Sequence, residues 1–198
     1  MPPKVICLSG PVGCGKTTLL NILKNQLLFC YVVPEYIDAL DDAKTKLQQY
    51  LDGTFSAFEF QNYILDYFEQ VAVNLKDCEL FTYVLVERCP VEGILFFAKL
   101  DLFNKRLTQN EYDYLLKRSQ SLTFYPNPLK DDFITFNTDN KTPSQIADQV
   151  YEVIPKITLI KLKASLDTIK QRIQQRGREC ELEHYSDDYL NTMVRAYI

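Results

Sequence analysis

Gly10, Gly15, Lys16 and Thr17 fall within one octet, "GPVGCGKT", in which four residues separate Gly10 from Gly15. That is the spacing of a Walker A phosphate loop, and the residue types are the ones the chemistry requires. Gly10, Gly13 and Gly15 let successive backbone N–H groups turn inward on an anion, and the N-terminus of a following helix adds partial positive charge. Lys16 can then reach the β- and γ-phosphates. Thr17, with Thr18 beside it, offers a hydroxyl to a divalent cation. The flanks supply the context the motif needs: the apolar run 5–8 before it has strand length, and Leu19, Leu20, Ile22, Leu23 and Leu27 recur at helical period after it. The loop implies a bound nucleoside triphosphate.

A second set of chemical residues stands where strands end. Periodicity predicts strands at 4–9, 29–33, 81–86, 132–136 and 157–162. It predicts helices at 16–27, 40–51, 56–76, 91–103, 108–120, 143–153, 165–176 and 186–197. Strands alternating with helices of this length read as βαβ units, hence an α/β fold: a five-stranded parallel sheet with helices on both faces. Ligands of such sheets lie beyond the carboxyl ends of the strands. There the second strand ends in Pro34-Glu35 and the third in Glu87-Arg88-Cys89. The fifth leads through a helix to Arg172, Arg176, Arg178 and Glu181. Taken singly, a glutamate after a strand is a solvated cap and an Arg/Glu-rich stretch is a solvent-facing helix. Converging on the loop, they form the set that phosphoryl transfer demands, with cations on the transferring group and a carboxylate aimed at the acceptor hydroxyl.

Length and composition bound the rest. The 198 residues suffice for one domain, 1–198, with a proper core. A net charge of −4 and a pI near 5.1 argue against nucleic acid as the partner. No apolar run approaches the roughly 20 residues that span a bilayer. The first strand starts near residue 4, leaving no room for a targeting segment, which points to the cytoplasm. The six cysteines form no C-x-x-C pair and read as reduced thiols; the lone His184 reads as a surface residue.

The set as a whole resembles the deoxyribonucleoside kinase family, a group of P-loop kinases with an arginine-rich lid. "VICLSGPVGCGKTT" resembles its opening strand and loop, "VVPEYI" its Pro-Glu motif, "LVERCP" its Glu-Arg-Ser motif with Cys89 replacing serine, and "RIQQRGRECE" its lid, here about 172–184. Tyr50 precedes Phe60-Gln61 by the family's interval, and the likeness covers residues 4–123 and 157–198. It implies that Glu35 is the general base on a nucleoside 5′-hydroxyl, that Arg88 positions Glu35 and the 5′-oxygen, and that Glu87 with Thr17 places Mg²⁺. It implies further that Lys16, Arg172, Arg176 and Arg178 hold the phosphates of ATP, and that Tyr50 and Glu181 bind the sugar 3′-hydroxyl. Gln61 would read the base edge, with Phe60 and Phe97 on the base faces; both phenylalanines also read as plain core. The expected partners are a small nucleoside and ATP, with no nucleic acid or membrane, in a homodimer of the cytoplasm (the host's, for a viral member).

Three departures refine that expectation. Members selective for cytosine carry Arg and Asp where this chain has Phe68 and Gly93, so a thymidine or pyrimidine preference is expected. One of two usual lid glutamates is Cys180. In the family, a strand, turn and amphipathic helix follow the lid, whereas here such a unit stands before the last strand, at 132–153. It is expected to supply the outer strand and a covering helix, because a parallel sheet needs both faces covered. Two other readings remain at this level. A nucleoside monophosphate kinase shares loop and lid but needs cations for the acceptor's own phosphate. A non-kinase ATPase or nucleotide switch would show D-x-x-G and N-K-x-D, and Asn140-Lys141 is followed by Thr142-Pro143.

Overall fold

Along β1 (Lys4–Ser9) the side chains alternate between two cores. Ile6 and Leu8 pack with Leu19, Leu20 and Leu23 of α1 (Lys16–Gln26), while Val5 and Cys7 pack on the opposite side with Tyr67, Phe68 and Leu75. The strand is thus buried on both faces, as a central parallel strand must be. The computed structural model describes residues 2–177 and 185–196. With β2 (Cys30–Val32), β3 (Tyr83–Glu87), β4 (Phe133–Asn137) and β5 (Leu159–Lys163), β1 builds one sheet in the order β2-β3-β1-β5-β4. Every neighbouring pair is parallel.

The segment 132–153 does what its pattern predicts. β4 pairs with β5 from Phe133↔Leu159 to Asn137↔Lys163 and forms the sheet edge. α8 (Pro143–Val153) turns Ile146, Ala147 and Val150 into the first core and lies against α1. A capping box of Thr142 with Gln145 starts it, satisfying two otherwise orphaned N–H groups.

Two predicted elements differ in detail. The helix expected at 40–51 starts three residues late, as α3 (Ala43–Leu51), because Leu40 is extended where it ends a short helix that the periodicity did not predict, α2 (Tyr36–Ala39). The helix expected at 91–103 starts one residue earlier, as α5 (Pro90–Gly93). It passes through a π-type turn at Ile94–Ala98 and continues as α6 (Lys99–Phe103). Such turns add a residue to the helix and re-aim the side chains in it. The long α4 (Ala57–Leu75) and α7 (Gln109–Ser121) enclose a third core with Ile94 and Ala98. α9 (Leu166–Arg176) and α10 (Asp187–Ala196) return over the first core. Cys7, Cys14, Cys30, Cys78 and Cys89 are free thiols. Among the described residues no helix is long and apolar enough to cross a membrane.

Candidate active site

The loop between β1 and α1 has the backbone its glycines allow. Gly10, Gly13 and Gly15 lie at φ 140°, 76° and 101°, where an L side chain is strained. A Cβ on Gly10 would also stand 2.5 Å from the Leu162 carbonyl, so β5 itself closes the loop from behind. Lys16 is buried, and its Nζ donates to the carbonyls of Gly10 and Pro11 at 3.0 and 2.8 Å. It also lies 3.5 Å from Glu87 Oε1. Thr17 donates its hydroxyl to Glu87 Oε2 at 2.7 Å. A hydroxyl and a carboxylate side by side at a phosphate loop are the hard oxygen donors that Mg²⁺ takes, so the residues present fit that ion.

Two carboxylates face each other at this mouth and share one arginine. Arg88 adopts a left-handed backbone, φ 60°, while its N–H donates to Leu8 at 2.9 Å. This turn places its guanidinium 3.5 Å from Glu35 and 3.8 Å from Glu87, over the Phe97 ring of the π turn. Tyr67 donates to the Pro34 carbonyl at 2.6 Å, which braces the chain just before Glu35. Burial and the neighbouring Glu87 charge push the Glu35 carboxyl up to about 7, against the pull of Arg88. Burial would raise Glu87 too, but Lys16 and Arg88 outweigh it and hold that carboxylate below its usual range. One carboxyl kept ionised beside another poised near neutrality is a division of labour that environments impose on paired acids.

A cavity of about 640 Å³ runs from the loop between α3 and α4. Of the residues expected in the site, it is lined by Gly13, Gly15, Lys16, Thr17, Thr18, Glu35, Tyr50, Phe60, Gln61, Phe68, Glu87, Arg88, Gly93, Phe97, Arg172 and Arg176. Gly10 supports the loop behind it. Arg178 and Glu181 lie outside the described residues. Phe60 stacks on Tyr50 at 4.3 Å and meets Tyr36 edge-on, so its ring is largely core as well as wall. Phe68 packs edge-on against Tyr125. The position beside Gly93 is open, with nothing within 4 Å of where a Cβ would be.

Two expected roles are modified. Tyr50 gives its proton to Asp101, at 2.9 and 3.0 Å from the two carboxylate oxygens, and can meet a sugar hydroxyl only as an acceptor. Arg172 donates to the Gly13 carbonyl at 3.3 Å and to Thr138 at 3.1 and 3.2 Å, tying the start of the lid to the loop and to the end of β4. Several residues were missed by sequence reasoning. Thr138, Lys141 and Pro143 reach the loop side of the cavity from the β4–α8 connection, and Tyr185 and Tyr189 reach it from the start of α10. The two tyrosines stack at 4.9 Å, and their spacing of one helical turn was a signal available in the sequence.

A phosphate loop at the carboxyl end of a parallel sheet, facing two carboxylates and a cavity, defines a P-loop phosphotransferase. The chain matches the deoxynucleoside kinase family over residues 6–143 and belongs to it. It is 27% identical over 197 residues to a deoxyguanosine kinase of Lactobacillus johnsonii, covering 98% of this chain and 74% of that one. It is 25% identical over 194 residues to the 143R protein of Invertebrate iridescent virus 6, covering 98% and 80%. A deoxyadenosine kinase from M. mycoides solved with bound dATP shares the fold, with a TM-score of 0.61 at 19% identity over 98% of this chain and 81% of that one. The protein is a deoxynucleoside kinase that uses a nucleotide. Family membership leaves neither the monophosphate kinase nor the switch reading with support.

Proposed function

We propose that the enzyme transfers the γ-phosphoryl group of ATP to the 5′-hydroxyl of a deoxynucleoside, with thymidine preferred over deoxycytidine. Glu35 takes the hydroxyl proton as the new O–P bond forms, and Arg88 holds Glu35 and the 5′-oxygen in line. Lys16 and the lid arginines neutralise charge on the transferring group. Thr17 and Glu87 would hold Mg²⁺, which would supply positive charge beside the phosphates. The nucleoside lies between α3 and α4 with its base against Gln61.

The observation that carries the base preference is the lining of the cavity, which apolar Phe68 and the open position at Gly93 share with Gln61. Burying the thymine methyl there is worth roughly 1 kcal/mol. A cytosine amino group left without an acceptor in a dry pocket costs about 1–3 kcal/mol. Both terms favour thymidine, by about 3- to 100-fold in kcat/KM. A second reading, a purine deoxynucleoside, is favoured by the names of two relatives, a deoxyguanosine kinase and a deoxyadenosine kinase. Phosphorylation of an equimolar mixture of the four deoxynucleosides decides between them. Thymidine monophosphate should dominate; a product dominated by deoxycytidine or purine monophosphate defeats the proposal.

A further inference from the structure

Cys7 of β1 turns its side chain to the face of the sheet that packs with Phe68, Val86 and Tyr125, and Cys89 joins the same core from the turn after β3. The two strands run side by side with Cys7 opposite Val86, so the thiols meet through the sheet and not through the sequence. Glu92 follows Cys89 by three residues, one helical turn along α5, and so shares its face. The Sγ atoms of Cys7 and Cys89 and a carboxylate oxygen of Glu92 all lie within 4.8 Å of one another. The two cysteines are fully buried, and Glu92 is only 1% exposed. A carboxylate is seldom buried so completely without a cation against it. Arg88 Nε stands 4.0 Å from Glu92 Oε1, beyond hydrogen-bond length, and the same guanidinium also serves Glu35 and Glu87.

Two sulfurs and an oxygen at this spacing are donors for a borderline-soft cation such as Zn²⁺. Tetrahedral ligation with Zn–S bonds of about 2.3 Å sets two sulfurs about 3.8 Å apart, so the side chains need to close by no more than about 1 Å. Three protein ligands leave a fourth position. Cys89 lines the cavity, which gives the ion its way in and the fourth position a water. Mg²⁺ takes oxygen donors instead, and its pair is Thr17 with Glu87. The two donor sets differ in softness, so neither cation suits the other's place.

We propose that Cys7, Cys89 and Glu92 form a binding site for a thiophilic divalent cation of the Zn²⁺ class, and that filling it slows the enzyme. Binding releases the two thiol protons to solvent and leaves both sulfurs as thiolate ligands. It draws Glu92 away from Arg88 and sets a positive centre beside that guanidinium. The effect on turnover rests on the proposed role of Arg88 in holding Glu35; the site itself does not.

Co²⁺ is the probe, because tetrahedral thiolate ligation gives it a near-ultraviolet charge-transfer band that oxygen ligation does not. Titrated into the wild type, it should develop that band with one equivalent bound; Zn²⁺ should displace it and excess Mg²⁺ should not. Cys7→Ala and Cys89→Ser each remove a ligand, so affinity should fall about 100-fold and the band should fade. Cys14→Ser is the contrast, since Cys14 also lines the cavity, and it should keep the band. No thiolate band in the wild type, an unaltered band in Cys89→Ser, or its loss in Cys14→Ser overturns the site. Cys89→Ser keeps the size of the side chain and decides the matter if Cys7→Ala does not fold. In the presence of ATP and Mg²⁺, saturating Zn²⁺ should lower kcat about tenfold in the wild type and little in Cys89→Ser. Equal inhibition of both overturns the effect on Arg88. A wild type that phosphorylates no nucleoside defeats the proposed function, and the cobalt spectrum then still decides the site.

Discussion

Glu35 is the base of the proposed mechanism, and the fold holds it in an unfavourable state for that role. Its carboxyl sits near neutrality because it is buried beside Glu87, with Arg88 only partly compensating. A base must be ionised to act, so kcat/KM should rise with pH through an ionisation near 7. Glu35→Gln keeps the shape but removes the proton acceptor; kcat should fall at least about 100-fold, with nucleoside affinity within a few-fold. The remaining activity should have lost the ionisation near 7, and a variant that keeps both rate and profile moves the base elsewhere. Glu35, Glu87, Arg88 and the loop were all legible because a strand end and a glycine spacing each leave a local mark. Asp101 was not: a single acid in "FFAKLDLF" looks like a polar residue in an apolar helix, and its partner Tyr50 is distant in sequence. What it does depends on contacts that no spacing rule encodes.

At the scale of elements, the β4–α8 unit is the strongest case of a pattern read before the structure and then found. A strand with a polar-flanked amphipathic helix has few places to go when the sheet needs an outer strand. What the pattern could not tell is how the unit meets the loop. Its connection bends back over α9: Asp139 accepts from the Ser165 N–H at 2.9 and 3.0 Å and from its hydroxyl at 3.2 Å. Burial is the largest single influence and works against the Asp139 charge, but the Ser165 and Thr168 bonds together prevail and hold the carboxyl below its usual range. Thr138, next to it, accepts from Arg172. Asp139→Ala should therefore destabilise the fold by about 1 kcal/mol, the worth of a hydrogen bond to a charged group at a partly open site. It should also loosen the lid, raising KM for ATP more than for the nucleoside. Urea unfolding and two KM values check this; unchanged stability would mean that the α9 start is held by its own Ser165 cap alone.

The whole sheet was predictable because its strands are buried runs between helical periods, and the misplacements, such as the late start of the 40–51 helix, came from single backbone bends. One consequence belongs to the molecule rather than to any part of it: its stability and its activity should prefer different pH. Glu35 and Asp101 have folded-state carboxyls raised above their ordinary values, in each case chiefly by burial. Groups of that kind contribute stability that is complete below the unfolded value and lost as pH rises through the folded one. Glu87 and Asp139 are shifted the other way, by Lys16 and Arg88 and by the Ser165 bonds, and their contribution is lost as pH falls. The ligand-free protein should thus be most stable in mildly acid solution and should lose stability towards pH 8, where Glu35 must ionise beside Glu87. The proposed mechanism needs that ionised form, so the enzyme should work on the declining side of its own stability curve. Melting temperatures of the wild type and Glu35→Gln between pH 5 and 8 separate the contributions. The two should nearly coincide at pH 5, and the variant should become the more stable as pH rises. Parallel curves would show that the Glu35–Glu87 pair carries no such strain, and the raised Glu35 carboxyl would lose its role in the pH–rate profile as well.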